Sequence, residues 1–135
     1  MVSKESETLC YDQWLAFCTE QGVIPHKQYG FLKGRSTEWL LLTVTQEWSY
    51  AIDHHWLSHA VFLDMAKAFD QVDHQVLLYK LKAFGLSDLA LKWFSSFLSG
   101  RQISTRVADV RSAVLPINSG VPQGSVLGPL LFIVV

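Results

Sequence analysis

The chain has no surplus of basic residues: 11 lysines and arginines stand against 12 aspartates and glutamates, for a formal net charge of −1. A protein that grips nucleic acid by itself through electrostatics carries a basic patch or stripe. Whole-chain charge therefore counts against autonomous binding of that kind. Cysteine is scarce, at two residues, and neither Cys10 nor Cys18 follows a charged segment and apolar run of the secretory type. A disulfide framework is not expected, and both thiols read as ordinary buried side chains of an intracellular, reducing compartment. The sequence does not separate nucleus from cytoplasm. No apolar run approaches the roughly 20 residues needed to span a bilayer, so no membrane partner is expected. The longest run near the end, Val126 to Val135, is interrupted by Gly128 and Pro129 and reads as core. What is present is apolar material: 135 residues, 50% hydrophobic and 13% aromatic, enough for one small domain with a real core.

Along the chain, Trp14, Leu15, Phe17 and Cys18 have near-helical spacing, which predicts a short helix over Tyr11 to Glu20, closed by Gly22 and Pro25. Gly30 and Gly34 bracket a loop, after which Ser36 or Thr37 caps a helix with Leu40, Val44, Trp48 and Ala51 on one face. Asp53, His54 and His55 break it. Ala60 to Leu63 is a brief apolar run ending in Asp64, the pattern of a buried strand that delivers a carboxylate to a sheet edge. Two helices follow. One spans about Gln75 to Phe84 and stops at Gly85, and the other runs from its Ser87 cap to Gly100. Ile103 to Val107 and Ala113 to Ile117 predict a hairpin around Ala108 to Arg111. Asn118 to Gly120 breaks the strand, and Ser125 opens a last apolar helix.

Three constellations carry candidate chemistry. In Phe62-Leu63-Asp64-Met65-Ala66-Lys67-Ala68-Phe69-Asp70, Asp64 is either a rigid oxygen ligand for a hard cation or the cap of a turn. In Gly120-Val121-Pro122-Gln123-Gly124-Ser125, two glycines allow close backbone approach and Gln123 offers an amide to a base or sugar; the other reading is a plain strand-to-helix turn. In Gly30-Phe31-Leu32-Lys33-Gly34-Arg35-Ser36, cations and free amides beside a helix N-terminus suit a triphosphate, or form a solvated loop. His55 and His59 have the spacing of a helical zinc pair, but they fall in a loop and read as no metal site. His74 reads as a cap or an orienting group for the next helix.

The three blocks, in this order and extended by Gln28-Tyr29 before the first and Val126 to Phe132 after the last, resemble successive motifs of the reverse transcriptases of non-LTR retrotransposons, especially jockey-like elements. The resemblance runs from about Tyr11 to the C-terminus. It implies an α+β fold, a partial right-hand polymerase, with fingers-like pieces at 11–58 and 74–117 and palm-like pieces at 59–73 and 118–135. By resemblance, Asp64 matches the first catalytic, metal-binding aspartate, with the Met65 carbonyl as a further ligand of the same ion. Phe69 matches the aromatic residue beneath the incoming sugar, which excludes a 2′-hydroxyl. Lys33 and Arg35 fall in the block that approaches the triphosphate, and Gln123 and Gly124 in the block that lines the nucleotide and template side. Leu32 stands where the family usually has arginine, which removes one phosphate contact.

The implied activity is RNA-directed DNA synthesis with Mg²⁺, an RNA template, a DNA primer and deoxynucleotides. The sequence carries no aromatic-x-Asp-Asp motif, the family's second source of metal-binding carboxylates, so the expectation is a truncated member that is inactive alone. The competing reading is a non-catalytic remnant that keeps nucleic-acid binding. An unrelated phosphohydrolase using Asp64, Asp70 and Asp73 is a third. Because the segments expected to cover Val126 to Val135 are missing, an exposed apolar patch is also expected there.

Overall fold

Lys4–Glu20 form a first helix, α1, in a computed structural model that describes residues 4–135. The helix starts before the Tyr11 expected from the apolar spacing because Glu5 and Glu7 put carboxylates into its first turn, where the helix dipole favours negative charge. Glu7, Trp14 and Cys18 are its buried residues, and their spacing places them along one stripe.

The chain divides into two compact units. One comprises the N-terminal segment through Ile24 together with Lys67–Val135; the other is Pro25–Ala66. In the first unit, α3 (His74–Ala83) and α4 (Asp88–Leu98) pack as a helical hairpin. Asp73 caps α3 by accepting from the N–H groups of Gln75 and Val76, and Ser87 caps α4 by accepting from Ala90. Between them Gly85 takes φ +95°, a turn conformation that side chains with a Cβ rarely adopt. Leu77, Leu81 and Leu98 are fully buried beside Trp14, Cys18 and Phe94, and the core closes on Leu127, Leu130 and Leu131. Each such leucine contributes about 1.5–3 kcal/mol of transfer free energy.

The expected hairpin is present with shifted edges. Strand β1 (Arg101–Ile103) pairs antiparallel with β4 (Leu115–Ile117), Arg101 opposite Ile117, and the inner strands β2 (Arg106–Val107) and β3 (Val110–Arg111) pair around a turn at Ala108 and Asp109. The last helix, α5, spans Gly128–Ile133 with proline in its first turn. It begins after the expected Ser125, because the Ser125 hydroxyl is used in the turn before it, donating to the Pro122 carbonyl at 2.7 Å and accepting from the Gly128 N–H at 2.9 Å.

The second unit is built on α2 (Thr37–Asp53), whose N-terminus is capped by Ser36 as the sequence indicates. Its expected apolar face is only partly covered: Ala51 is buried, whereas Leu40 and Trp48 remain exposed. The strand expected at Ala60 to Leu63 does not form. Those residues are irregular, with Val61, Phe62 and Leu63 82–91% exposed, since a strand needs a neighbour for its ladder and no described segment pairs with it. The apolar exposure expected at Val126 to Val135 is likewise corrected. Leu127, Leu130, Leu131 and Val134 are buried, and most of the exposed large apolar residues lie elsewhere, around α2 and 61–63 and also at Leu9, Tyr79, Leu89 and the hairpin residues Val107, Val110 and Leu115. The whole is a mixed helical and small-sheet, α+β fold.

Candidate active site

In the first unit the end of the second motif, Lys67 to Asp70, meets the third. Lys67 adopts φ +51°, and its carbonyl accepts from the N–H groups of Asp70 and Gln71 at 2.9 and 3.1 Å, closing a turn over 67–71. The loop 119–126 lies on that turn. Val121 N–H donates to the Phe69 carbonyl at 2.9 Å and Gly120 N–H to the Val72 carbonyl at 2.7 Å. The Ser119 hydroxyl donates to the Asp70 carbonyl at 3.0 Å, and Gln123 Nε2 donates to Asp70 Oδ1 at 3.3 Å. His74 Nε2 lies 2.8 Å from the Gly120 carbonyl. A carbonyl only accepts, so this nitrogen carries the hydrogen. His74 thus orients the glycine loop, while Asp73 does the capping.

Glycine is required at 120 by geometry. Its φ is +85°, and a Cβ there would stand 2.9 Å from Asp70 Cα and 3.0 Å from the Asp70 and Phe69 carbonyl oxygens. Gly124 also has a positive φ, +80°, but open space around it. The junction borders a cavity of about 430 Å³ whose walls include Asp70, Arg101, Gln102, Ser119 and Gln123. That volume falls within the range of small-ligand sites. Phe69 is half-buried and stacks on Phe132, ring centroids 4.5 Å apart at 22°. The Arg101 guanidinium sits 6.0 Å from the Phe97 ring centroid.

The remaining expected residues belong to the second unit. Asp64 and Met65 are exposed, and Asp64 Oδ1 accepts from the Met65 N–H at 2.9 Å. Lys33 is exposed. Arg35 is half-buried, and its Nη1 donates to the carbonyls of Pro25, His26 and Gln28 at 2.7–3.1 Å; it anchors the loop before α2. Among the described residues no three His, Cys, Asp or Glu side chains cluster as ligands for an ion. Mg²⁺ prefers six oxygens in near-octahedral order, so this donor set does not by itself fit the ion. Asp64 brings one carboxylate. The phosphohydrolase reading also loses a member, because the Asp73 carboxylate is engaged as a helix cap.

Comparison with protein families matches residues 3–135 to reverse transcriptase (RNA-dependent DNA polymerase). The chain belongs to that family. Among curated relatives it is 37% identical to the transposon BS protein of Drosophila melanogaster over 133 residues, 97% of this chain and 14% of the relative. It is 40% identical over 109 residues to the RNA-directed DNA polymerase from mobile element jockey of Drosophila funebris, covering 81% of this chain and 12% of that protein. The corresponding Drosophila melanogaster jockey protein is 36% identical over 131 residues, with coverage of 97% and 14%. The chain thus spans about a seventh of the length of these relatives, all from transposable elements. No solved structure shows significant similarity to it.

Within this reverse transcriptase segment, two contacts escaped the sequence reading. Phe132, noted only as part of an apolar run, supports the Phe69 ring. Glu7, which precedes the stretch read as helix, is buried and accepts from the Val126 N–H at 2.9 Å. No local signal announces a bond between residues 119 positions apart.

Proposed function

We propose that this chain is the nucleotide-facing portion of an RNA-templated DNA polymerase, a partial right hand with fingers-like pieces at 11–58 and 74–117 and palm-like pieces at 59–73 and 118–135. Its substrates are deoxynucleotides on an RNA template and DNA primer. Phe69 screens the sugar, Gln123 and Gly124 face nucleotide and template, Lys33 faces the triphosphate from the loop that Arg35 anchors through the Pro25, His26 and Gln28 carbonyls, and Asp64, with the Met65 carbonyl, supplies one side of the metal site. The observation that carries the reading is the docking of loop 119–126 onto the 67–71 turn, which joins the end of the second motif to the third beside one cavity. Because the carboxylates here do not complete a two-ion site, the chain alone does not polymerise.

The test is primer extension on an RNA template. The 135-residue chain is expected to extend nothing, and a chimera that continues after Val135 with the following segment of a jockey polymerase is expected to extend. A chimera that folds and binds template-primer without extending would overturn the proposal. Extension by the chain alone, abolished by Asp64→Ala, would overturn the statement that its metal site is incomplete.

A further inference from the structure

The proposed nucleotide loop is held from two sides, and only one of them lies in a recognised motif. Its first half, 119–123, is tied to 69–74 by the bonds described above. Its second half reaches the rest of the unit at Val126, whose N–H donates to Glu7 Oε2 at 2.9 Å. Glu7 is 9% exposed and is the buried charged residue of the described chain. It shares the inner stripe of α1 with Trp14 and Cys18, positions where an apolar side chain would avoid the cost of desolvating a carboxylate. A carboxylate at that point gives the unit something an apolar residue cannot: a strong acceptor aimed at one backbone donor of the loop. Between the two tethers lie Gln123 and Gly124. Gly124 has open space around it and a left-handed backbone, so the path of this stretch is set by its ends more than by packing.

We infer that Glu7 is a positioning residue: its carboxylate fixes the second half of the 119–126 loop and so sets how Gln123 and Gly124 are presented. The assignment of those two residues to nucleotide binding rests on the proposed function; the positioning itself does not. Neither α1 before Tyr11 nor Glu7 belongs to the blocks that carry the family resemblance, so the contact adds a residue to the machinery from outside its motifs.

Amide hydrogen exchange of the full chain tests this without requiring polymerase activity. Glu7→Met keeps the length and burial of the side chain and removes the acceptor; Glu7→Gln keeps an acceptor oxygen. Losing a hydrogen bond to a charged group predicts exchange roughly 10- to 100-fold faster at Val126 in Glu7→Met, with a smaller acceleration at Ser125, whose N–H donates to the Pro122 carbonyl, beyond any change at Leu77 and Leu81 in α3. Glu7→Gln should stay within a few-fold of the parent. Trp14→Phe, a lesion elsewhere on the same stripe, should lower overall stability without singling out the loop. If Glu7→Met accelerates loop and α3 amides equally, or leaves the loop unchanged, the inference is wrong. Should Glu7→Met not fold, the parent chain decides: the Val126 amide signal should move with the Glu7 side-chain carbon as the carboxylate is titrated, and a Val126 signal indifferent to that titration overturns the inference. Failure of the jockey chimera to extend primers would leave these outcomes intact and would count against the polymerase reading alone.

Discussion

Replacing Gly120 by alanine should be among the most damaging single-methyl changes in the first unit. At φ +85° an L-residue pays about 1–2 kcal/mol for the left-handed backbone. The new Cβ would also stand 2.9 Å from Asp70 Cα and 3.0 Å from two carbonyl oxygens. These are backbone atoms of the 67–71 turn, which cannot rotate away as a side-chain tip can, so overpacking adds about 1–3 kcal/mol. The expected loss is therefore about 2–5 kcal/mol, a large fraction of the roughly 5–15 kcal/mol that stabilises a domain. Gly124→Ala is the control, because its φ of +80° brings the same backbone strain with nothing within 4 Å of the added methyl; about 1–2 kcal/mol is expected. Urea denaturation of the two variants gives both numbers. If they agree within about 0.5 kcal/mol, the scatter of an ordinary surface change, the close approach of the two motifs is not as described.

Burial pushes the Cys18 thiol up to about 12 from a free value of 9.0, and raises Cys10 as well. A thiol reagent at pH 8 should label Cys10 first and Cys18 only as the protein unfolds, and urea midpoints should hold below pH 9 and fall as pH rises toward 12; rapid labelling of Cys18 in the native state would contradict this. With Val61, Phe62 and Leu63 82–91% exposed, the chain should bind a hydrophobic dye, and changing the three to Thr, Ser and Thr should reduce that signal without lowering the melting temperature; an unchanged signal places the patch elsewhere. In the polymerase chimera, Phe69→Val should admit ribonucleotides while deoxynucleotide incorporation survives. Phe132→Ala, which removes the ring stacked on Phe69, should relax the same discrimination partially, and retention of full discrimination by both variants would exclude Phe69 as the sugar screen.

Much of this architecture was legible because its signals are local. Ser36 and Ser87 cap the helices they precede, and Gly85 ends α3 in the left-handed conformation that glycine alone adopts cheaply. The hairpin was legible as a hairpin, but its inner strand Val110–Arg111 reads as part of a longer loop in the sequence. What could not be read depends on partners distant in sequence. Ala60 to Leu63 has strand composition, yet strand formation is a property of a pair, and no described segment supplies the second ladder. The apolar run after Val126 gave its burial correctly, whereas its cover, α1 and the α3–α4 hairpin, came from residues whose amphipathic pattern does not say what they pack against. For the site, the resemblance is what proposes Asp64, Phe69, Gln123 and Gly124, and it does not distinguish Arg35 as a phosphate contact from Arg35 as an anchor for Pro25, His26 and Gln28. Asp73 was a carboxylate of undecided use until two amides were seen on its oxygen.

The central claim, that this chain supplies Asp64 as a metal-holding carboxylate of a DNA polymerase, is tested most directly by comparing Asp64→Asn with Asp70→Asn in the jockey chimera. Primer extension on an RNA template in Mg²⁺ is the assay. An amide keeps the shape of the side chain and removes the anionic oxygen that a hard cation needs, so Asp64→Asn should abolish extension. Asp70→Asn should be mild, since an asparagine oxygen can still accept from Gln123 Nε2, the contact Asp70 makes at 3.3 Å. Near-parental extension by Asp64→Asn, together with loss in Asp70→Asn, would contradict the account and move the metal ligand to the other end of the motif.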